Sequence, residues 1–242
     1  MSVFASLVEQ LADLLRPLFG LSAAAAAIIA FTALVRLLVH PLSRAAARGQ
    51  KARAALQPRI AELRRKHGKN PEKLQKAVME LHAEEKVSPL SGCLPSLLQL
   101  PAFFLLYHLF SSGSIGGEPN ALLTHQLLDA PLGGRWADAL ADGGAFGGAG
   151  VVYLGLFAVV TVVAYFSYRL SRRMTEASAA LAGTAGADPQ MPGAAVMGGV
   201  MKVMPFMSFF TLVTVAVVPL AAALYVVTST TWSVIERSVL YR

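Results

Sequence analysis

LSAAAAAIIAFTALVRLLVHPL, residues 21–42, decides the architecture. A hydrocarbon core about 30 Å thick needs roughly 20 apolar helical residues to cross it, and this stretch supplies them with a single charged interruption, Arg36. Outward from it, Leu90 to Phe110 is a second candidate span, carrying Pro95, Gln99 and Pro101, and Val151 to Tyr168 is a third without any charge. The apolar run from Val203 to Ile235 is too long for one ordinary span. Pro219 near its middle breaks a helix interior, so the run reads as a tight hairpin of two short spans, with one tilted, kinked helix as the alternative. The expected fold class is therefore an all-α membrane protein with five transmembrane helices. It divides into an outer-face amphipathic segment (1–20), spans at 21–42, 90–110, 151–168, 200–218 and 219–237, a basic helical hairpin at 43–89, an extracytoplasmic loop at 111–150, a second inner loop at 169–199 and a short tail at 238–242.

Of the 242 residues, 55% are hydrophobic and 14% charged, against about a quarter charged in an average soluble domain, which argues against a water-soluble single core. The net charge of +7 is concentrated in one place. Residues 43–89 hold twelve Lys and Arg against five Glu, and the rest of the chain balances. Basic residues mark cytoplasmic loops, so 43–89 is expected inside. The 111–150 loop, with Arg135 among Glu118, Asp129, Asp138 and Asp142, is expected outside, while Arg169, Arg172 and Arg173 return the chain to the inner side. The N-terminus is then outside and the C-terminus cytoplasmic.

Within the N-terminal segment Phe4, Leu7, Leu11, Leu14, Leu15 and Leu18 recur at helical spacing opposite Glu9 and Asp13. This pattern fits an interfacial amphipathic helix on the outer surface, with the frayed start of the first span as the alternative because of Pro17 and Gly20. A basic start is missing, so a retained segment is expected rather than a cleaved signal. In 43–89, Leu56, Ile60, Leu63 and His67 share one helical face and Leu74, Ala77, Val78 and Leu81 another. Gly68-Lys69-Asn70-Pro71 between them reads as a helix stop and restart, with Asn70 as N-cap and Pro71 in the first turn. Pro58 is expected to kink the first arm. The Gly-, Ala- and Pro-rich stretches 113–150 and 177–199 are expected to be flexible.

Arg36 is the sharpest candidate. A cation inside a span costs roughly 3 kcal/mol on insertion scales and more than 10 in simulations, so it faces protein or water. Snorkelling is the competing reading, since Arg36 lies only about 9 Å from the inner end of the span. Thr32 sits one turn earlier on the same face, and no span holds an acidic residue deep enough to be an obvious partner. Together these suggest a wetted cavity awaiting a negative charge from outside the chain. Gln99 and the hydroxyls of Thr228, Ser229, Thr230, Thr231 and Ser233 could line it, although hydroxyls in membrane helices commonly bond their own backbone. Met197, Met201, Met204 and Met207 fall on one helical face, as ordinary packing or as an adaptable contact stripe.

Enzyme signatures are missing from the sequence: there is no G-x-S-x-G, no H-E-x-x-H, no intramembrane aspartate pair and no phosphate-binding glycine loop. The five histidines, His40, His67, His82, His108 and His125, are scattered, and Cys93 is the single cysteine. A non-enzyme with no catalytic residues, metal or cofactor is expected.

The run Ala33-Leu34-Val35-Arg36-Leu37-Leu38-Val39-His40-Pro41-Leu42 and the hairpin with Leu56-Gln57-Pro58 resemble a known family, the YidC-type membrane protein insertases of the YidC/Oxa/Alb group. So do Ser88-Pro89-Leu90-Ser91-Gly92-Cys93-Leu94-Pro95, Gln99-Leu100-Pro101-Ala102-Phe103-Phe104, Met204-Pro205-Phe206-Met207 and Pro219-Leu220-Ala221-Ala222-Ala223-Leu224-Tyr225. The resemblance covers nearly the whole chain and is closest to the short form of Gram-positive bacteria. It implies a bundle enclosing a hydrophilic groove, open to the cytoplasm and to lipid, in which Arg36 attracts acidic client segments without nucleotide hydrolysis. Thr32 aligns with a groove position of the first span, and Gln99, Tyr225, Thr228 and Thr230 complete the candidate groove set beside Arg36. Arg59, Arg64, Arg65, Lys66, Lys73 and Lys76 would recruit clients from the hairpin. Implied partners are nascent integral membrane proteins and membrane lipids, with the Sec translocon, ribosome and signal recognition particle on the delivery side. The implied setting is a bacterial cell membrane, with a monomer as the working unit. Val226, Thr230 and Glu236 depart from the family's usual aromatic, asparagine and glutamine. The chain also ends at Arg242 without the long basic tail of some relatives, and its N-terminus offers no lipobox cysteine, so lipoprotein processing is not expected. Two other readings compete: a small anion transporter using Arg36, and a membrane tether holding ribosomes or nucleic acid through the hairpin.

Overall fold

The computed structural model describes residues 2–67, 70–87, 94–115, 117–183 and 204–240. It is predominantly helical, and its longest helices are apolar, the build of an all-α membrane protein. Helix α1 (Ser2–Phe19) is followed by a 3-10 turn at Gly20–Ser22 and by α2 (Ala23–His67), 45 residues without a break. Then come α3 (Pro71–Glu84), α4 (Leu94–Ser111), a structured connection, α6 (Gly148–Gly183), a 3-10 segment at Met204–Phe209, α7 (Phe210–Val217) and α8 (Leu220–Leu240). Among the described residues two stretches, Val3–His67 and Gly148–Arg173, are long and apolar enough to cross a membrane.

The core is built where α2 and α8 approach each other. Ala24, Ala25, Ala27 and Ile28 of α2 and Leu220, Ala221, Ala222 and Ala223 of α8 are essentially inaccessible. Small residues let helix backbones approach closely, which is how helices gain contact when apolar lipid provides no hydrophobic drive. Leu106, Leu109 and Phe110 of α4 and Tyr153 and Val160 of α6 close the same core. Helix α1 packs on α2 through Val8 and Ala12 but leaves Phe4, Leu7, Leu14 and Leu18 exposed. Its apolar surface is therefore wider than one stripe. Pro17 lies inside α1, and the chain turns instead at Gly20, whose φ of +54° a glycine adopts without strain.

Pro41 and Pro58 both lie within the continuous α2. The C-terminal half of α2 packs against α3 through a separate small cluster of Leu56, Ile60 and Leu81, with Leu63, Val78 and Val87 around it. Asn70 caps α3, its side chain accepting from the Lys73 N–H at 3.0 Å, with Pro71 in the first turn. Gly68 and Lys69 lie outside the described residues.

The expected flexibility of 113–150 is corrected. This connection forms two small hairpins, Ser114–Ile115 with Glu118–Pro119 (β1, β2) and Gln126–Leu127 with Ala130–Pro131 (β3, β4), then the short helix α5 (Trp136–Ala141). Asn120, Leu122, Ala130, Leu132 and Ala139 are buried. The physical reason is hydrogen bonding. The Asn120 side chain donates to the carbonyls of Leu109 (2.8 Å) and Ser112 (3.0 Å) at the end of α4 and accepts from the Leu122 N–H. The Leu220 and Ala221 N–H groups, buried at the start of α8 where no intrahelical partner exists, donate to the Gly134 and Leu132 carbonyls, each at 2.9 Å. Tyr153 adds a bond from its hydroxyl to Gly134 at 2.6 Å. Composition suggested a loose loop, yet the helix ends require these carbonyls.

In the closing segment the chain is extended at Val218, just before Pro219, so α7 and α8 are separate helices. The Met204–Phe209 stretch is 3-10 rather than α-helical, and Met207 is exposed. Met197 and Met201 lie outside the described residues. Helix α6 continues to Gly183, well past the third apolar stretch, and 184–199 lies outside the described residues.

Candidate functional site

The site is the seam between α2 and α8. On α2, Thr32, Arg36 and His40 recur every four residues and share a face. On α8, Tyr225, Ser229 and Glu236 do the same at intervals of four and seven. The two helices run in the same sense, and two polar rungs cross between them. In the first, Arg36 donates from Nε to the Ser229 hydroxyl oxygen at 3.1 Å and also from Nη2 to the same atom. In the second, His40 Nδ1 lies 2.6 Å from Glu236 Oε1. The Glu236 side chain is only 10% exposed, an acidic residue buried near the end of the last span. Its carboxylate is engaged by His40. Among the described residues Arg36 has no carboxylate partner and is held by a neutral hydroxyl.

The half-buried Arg36 thus keeps most of its five donors in a place of low dielectric. An arginine taken out of water and left without an anion attracts one strongly. Tyr225 lies on the same face of α8, buried, with its ring 5.9 Å from those of Phe103 and Phe110 of α4. Phe103 in turn stacks on Tyr107. Val226, in the position where an aromatic was expected from the resemblance, is half-buried against the core. Aromatic surface at this level comes from Tyr225 and α4.

The other hydroxyls are placed less favourably. Thr32 is 1% exposed and donates to the Ile28 carbonyl at 2.7 Å. Thr228, Thr230, Thr231 and Ser233 each donate to the carbonyl four residues earlier, at 2.7 to 2.9 Å. Thr230 also faces a crevice shared with Val160, Ala164, Ser208 and Thr211, away from Arg36. Ser229 is the exception, because Arg36 reaches its oxygen. Gln99 is on α4, and its side chain lies outside the described residues. Trp232, on the same stretch of α8, has a buried Nε1–H without a partner among the described residues.

At the far end of α2, Arg64, Arg65 and Lys66 are exposed, as are Lys73 and Lys76 on α3. They stand around the turn that joins the two helices. Arg59 is different, pairing with Glu85 across the small apolar cluster.

With this geometry in view, the comparisons decide the kinship. The family described as 60Kd inner membrane protein matches residues 15–242. The chain belongs to that family. A membrane protein insertase YidC of Clostridium perfringens is 45% identical over 84 residues, 35% of this chain and 35% of the relative. One of Anaeromyxobacter is 47% identical over 81 residues, 34% of this chain and 15% of the relative. One of Polynucleobacter asymbioticus is 40% identical over 101 residues, 41% of this chain and 18% of the relative. The matched stretch thus spans about a third of the first of these relatives and under a fifth of the other two.

Two residues of the seam escaped the reading by residue type. His40 sits near a span end among scattered histidines, and Glu236 stands out only as a departure from the family's usual glutamine; only the four-residue spacing from Arg36 and the seven-residue spacing from Ser229 mark them. Ser229 was one hydroxyl of five, and nothing in the local sequence singles it out from Thr228 or Thr230.

Proposed function

We propose that this chain is a membrane protein insertase and chaperone of a bacterial cell membrane, with Arg36 at the centre of a hydrophilic groove between α2, α4 and α8. The observation that carries the reading is Arg36 itself, half-buried, bonded to a neutral hydroxyl and without a carboxylate among the described residues. A polar segment crossing the hydrocarbon core must give up water for its backbone and charges, and a wet groove part-way through shortens the dry path. At 4 Å and an effective dielectric near 20, an arginine–carboxylate attraction is worth about 4 kcal/mol, enough to capture an acidic client segment and weak enough to release it. The outer connection, whose carbonyls cover the start of α8, closes the groove outward. Short closing spans thin the bilayer locally, and partition of the client's apolar helix into lipid completes insertion without nucleotide hydrolysis.

In this reading five spans place the N-terminus outside and the C-terminus in the cytoplasm. The basic tip carrying Arg64, Arg65, Lys66, Lys73 and Lys76 stands in the cytoplasm and recruits clients, which arrive alone or from the Sec translocon, ribosome or signal recognition particle. The test is reconstitution of Arg36→Glu in vesicles. Insertion of clients with acidic outer tails should be lost while the protein remains folded and helical. Unchanged insertion would remove the electrostatic step.

A further inference from the structure

Away from the seam, the structure holds a concavity with charged and polar side chains on two walls. A crevice of about 470 Å3 lies between the end of α1, the Gly20 turn, the start of α2 and the β3 strand, within the roughly 300–1,000 Å3 range of small-ligand sites. One wall carries Asp13 and Arg16 of α1, the other Thr124, His125 and Gln126. The walls are tied together, since the Leu128 N–H donates to the Ser22 hydroxyl at 3.3 Å. Both signs of charge are present, and they do not satisfy each other. Arg16 and Asp13 approach only to 3.9 Å, and both side chains are mostly exposed. That is beyond hydrogen-bond distance, so the carboxylate keeps its acceptors and the guanidinium its fork. The apolar neighbours also lack cover: Leu21, itself part of the lining, is 78% exposed and Leu18 79%.

We infer that this crevice binds the headgroup of a zwitterionic aminophospholipid, with Arg16 and His125 on the phosphate, Asp13 on the primary ammonium, and the acyl chains leaving over Leu18 and Leu21. The inference rests on the reading that α1 lies along the membrane surface. A guanidinium fork matches phosphate oxygens, and a carboxylate beside it favours a ligand that carries its own ammonium over a purely anionic one. An N–H-bearing ammonium can donate to Asp13, whereas a quaternary one cannot. The exposed leucines require lipid rather than a soluble phosphate, because contiguous apolar surface at the rim gains from acyl contact.

The test uses the full chain in detergent micelles, with phosphatidylethanolamine, phosphatidylcholine and phosphatidylglycerol as competing probes and native mass spectrometry as the readout. Phosphatidylethanolamine should be retained at least fivefold above the other two. Asp13→Asn should abolish its advantage over phosphatidylglycerol while phospholipid is still held. Arg16→Gln should lower retention of all three at least fivefold. Both residues are exposed, and circular dichroism confirms that each variant is folded. Equal retention of the three lipids, a preference for phosphatidylglycerol, or a preference untouched by both variants overturns the site. A nitroxide at position 18 in vesicles tests the placement of α1 separately. Shielding from an aqueous relaxant supports it, and full aqueous access overturns both that placement and the lipid site built on it. A shielded label with no lipid preference overturns the site alone.

Discussion

Removing the Ser229 hydroxyl asks how firmly the seam holds Arg36. Interhelical hydrogen bonds inside membrane proteins average about 0.6 kcal/mol in double-mutant cycles, with a maximum near 1.7. A charged donor roughly doubles the strength of such a bond. The Arg36–Ser229 contact, with Nε and Nη2 converging on one oxygen, should therefore show a coupling of about 1.2 kcal/mol, a factor of about eight in the unfolding equilibrium. The cycle compares wild type, Arg36→Gln, Ser229→Ala and the double variant, each unfolded reversibly in mixed micelles. Ser229→Ala alone should cost no more than about 2 kcal/mol, because in the proposed groove water would replace part of the lost acceptor. If the coupling falls below about 0.3 kcal/mol, within the usual error of additivity, Arg36 is not held by Ser229, and the account of a cation fixed by a neutral partner is wrong. The same variants divide the functional reading from the structural one. Ser229→Ala keeps the positive charge and should retain insertion of acidic-tailed clients within about tenfold, whereas Arg36→Gln should not.

Three other outcomes follow from the packing. Glu236→Gln should keep the bond to His40 and cost under about 1 kcal/mol, while Glu236→Leu should cost more and increase deuterium uptake in the turns of α2 and α8 around residues 40 and 236. Asn120→Leu removes three hydrogen bonds, two of them to carbonyls at the end of α4; a loss of about 3 kcal/mol, at about 1 per bond, should appear in the same unfolding assay. Leu81→Ala should cost about 2–3 kcal/mol locally, releasing α3 from α2 and raising deuterium uptake across residues 71–84 without lowering the stability of the α2–α8 core.

The long apolar helices were legible because length and composition alone mark them, and Arg36 was legible because a lone charge in such a run is conspicuous. Asn70 and Pro71 were readable for a similar reason, since a cap and a first-turn proline act within four residues. What sequence could not rank were contacts between distant segments. Ser229 differs from Thr230 only in facing α2, a difference of one residue in helical phase that neighbours over 190 positions away decide. The 113–150 connection was misjudged because glycine, alanine and proline also suit a chain that must bring backbone carbonyls to buried helix ends. The α1 stripe was read as one apolar face, but alanines count as core once a neighbouring helix comes close, and Val8 and Ala12 took that role.

The unbroken α2 has a mechanical consequence. Its 25 residues beyond position 42 form a rod of about 37 Å at about 1.5 Å per residue, so a tilt of about 10° at its base swings the basic tip by about 6 Å. Pro41 lacks the N–H that would complete the ladder, and bending stiffness is lowest where a rung is missing. The missing rung is the one the Pro41 nitrogen would have made to the Leu37 carbonyl, so the compliant stretch covers residues 37–41 and includes His40, whose contact with Glu236 ties it to α8. Load applied at the tip is thus concentrated on the turn that follows Arg36, and the His40–Glu236 contact is what resists it.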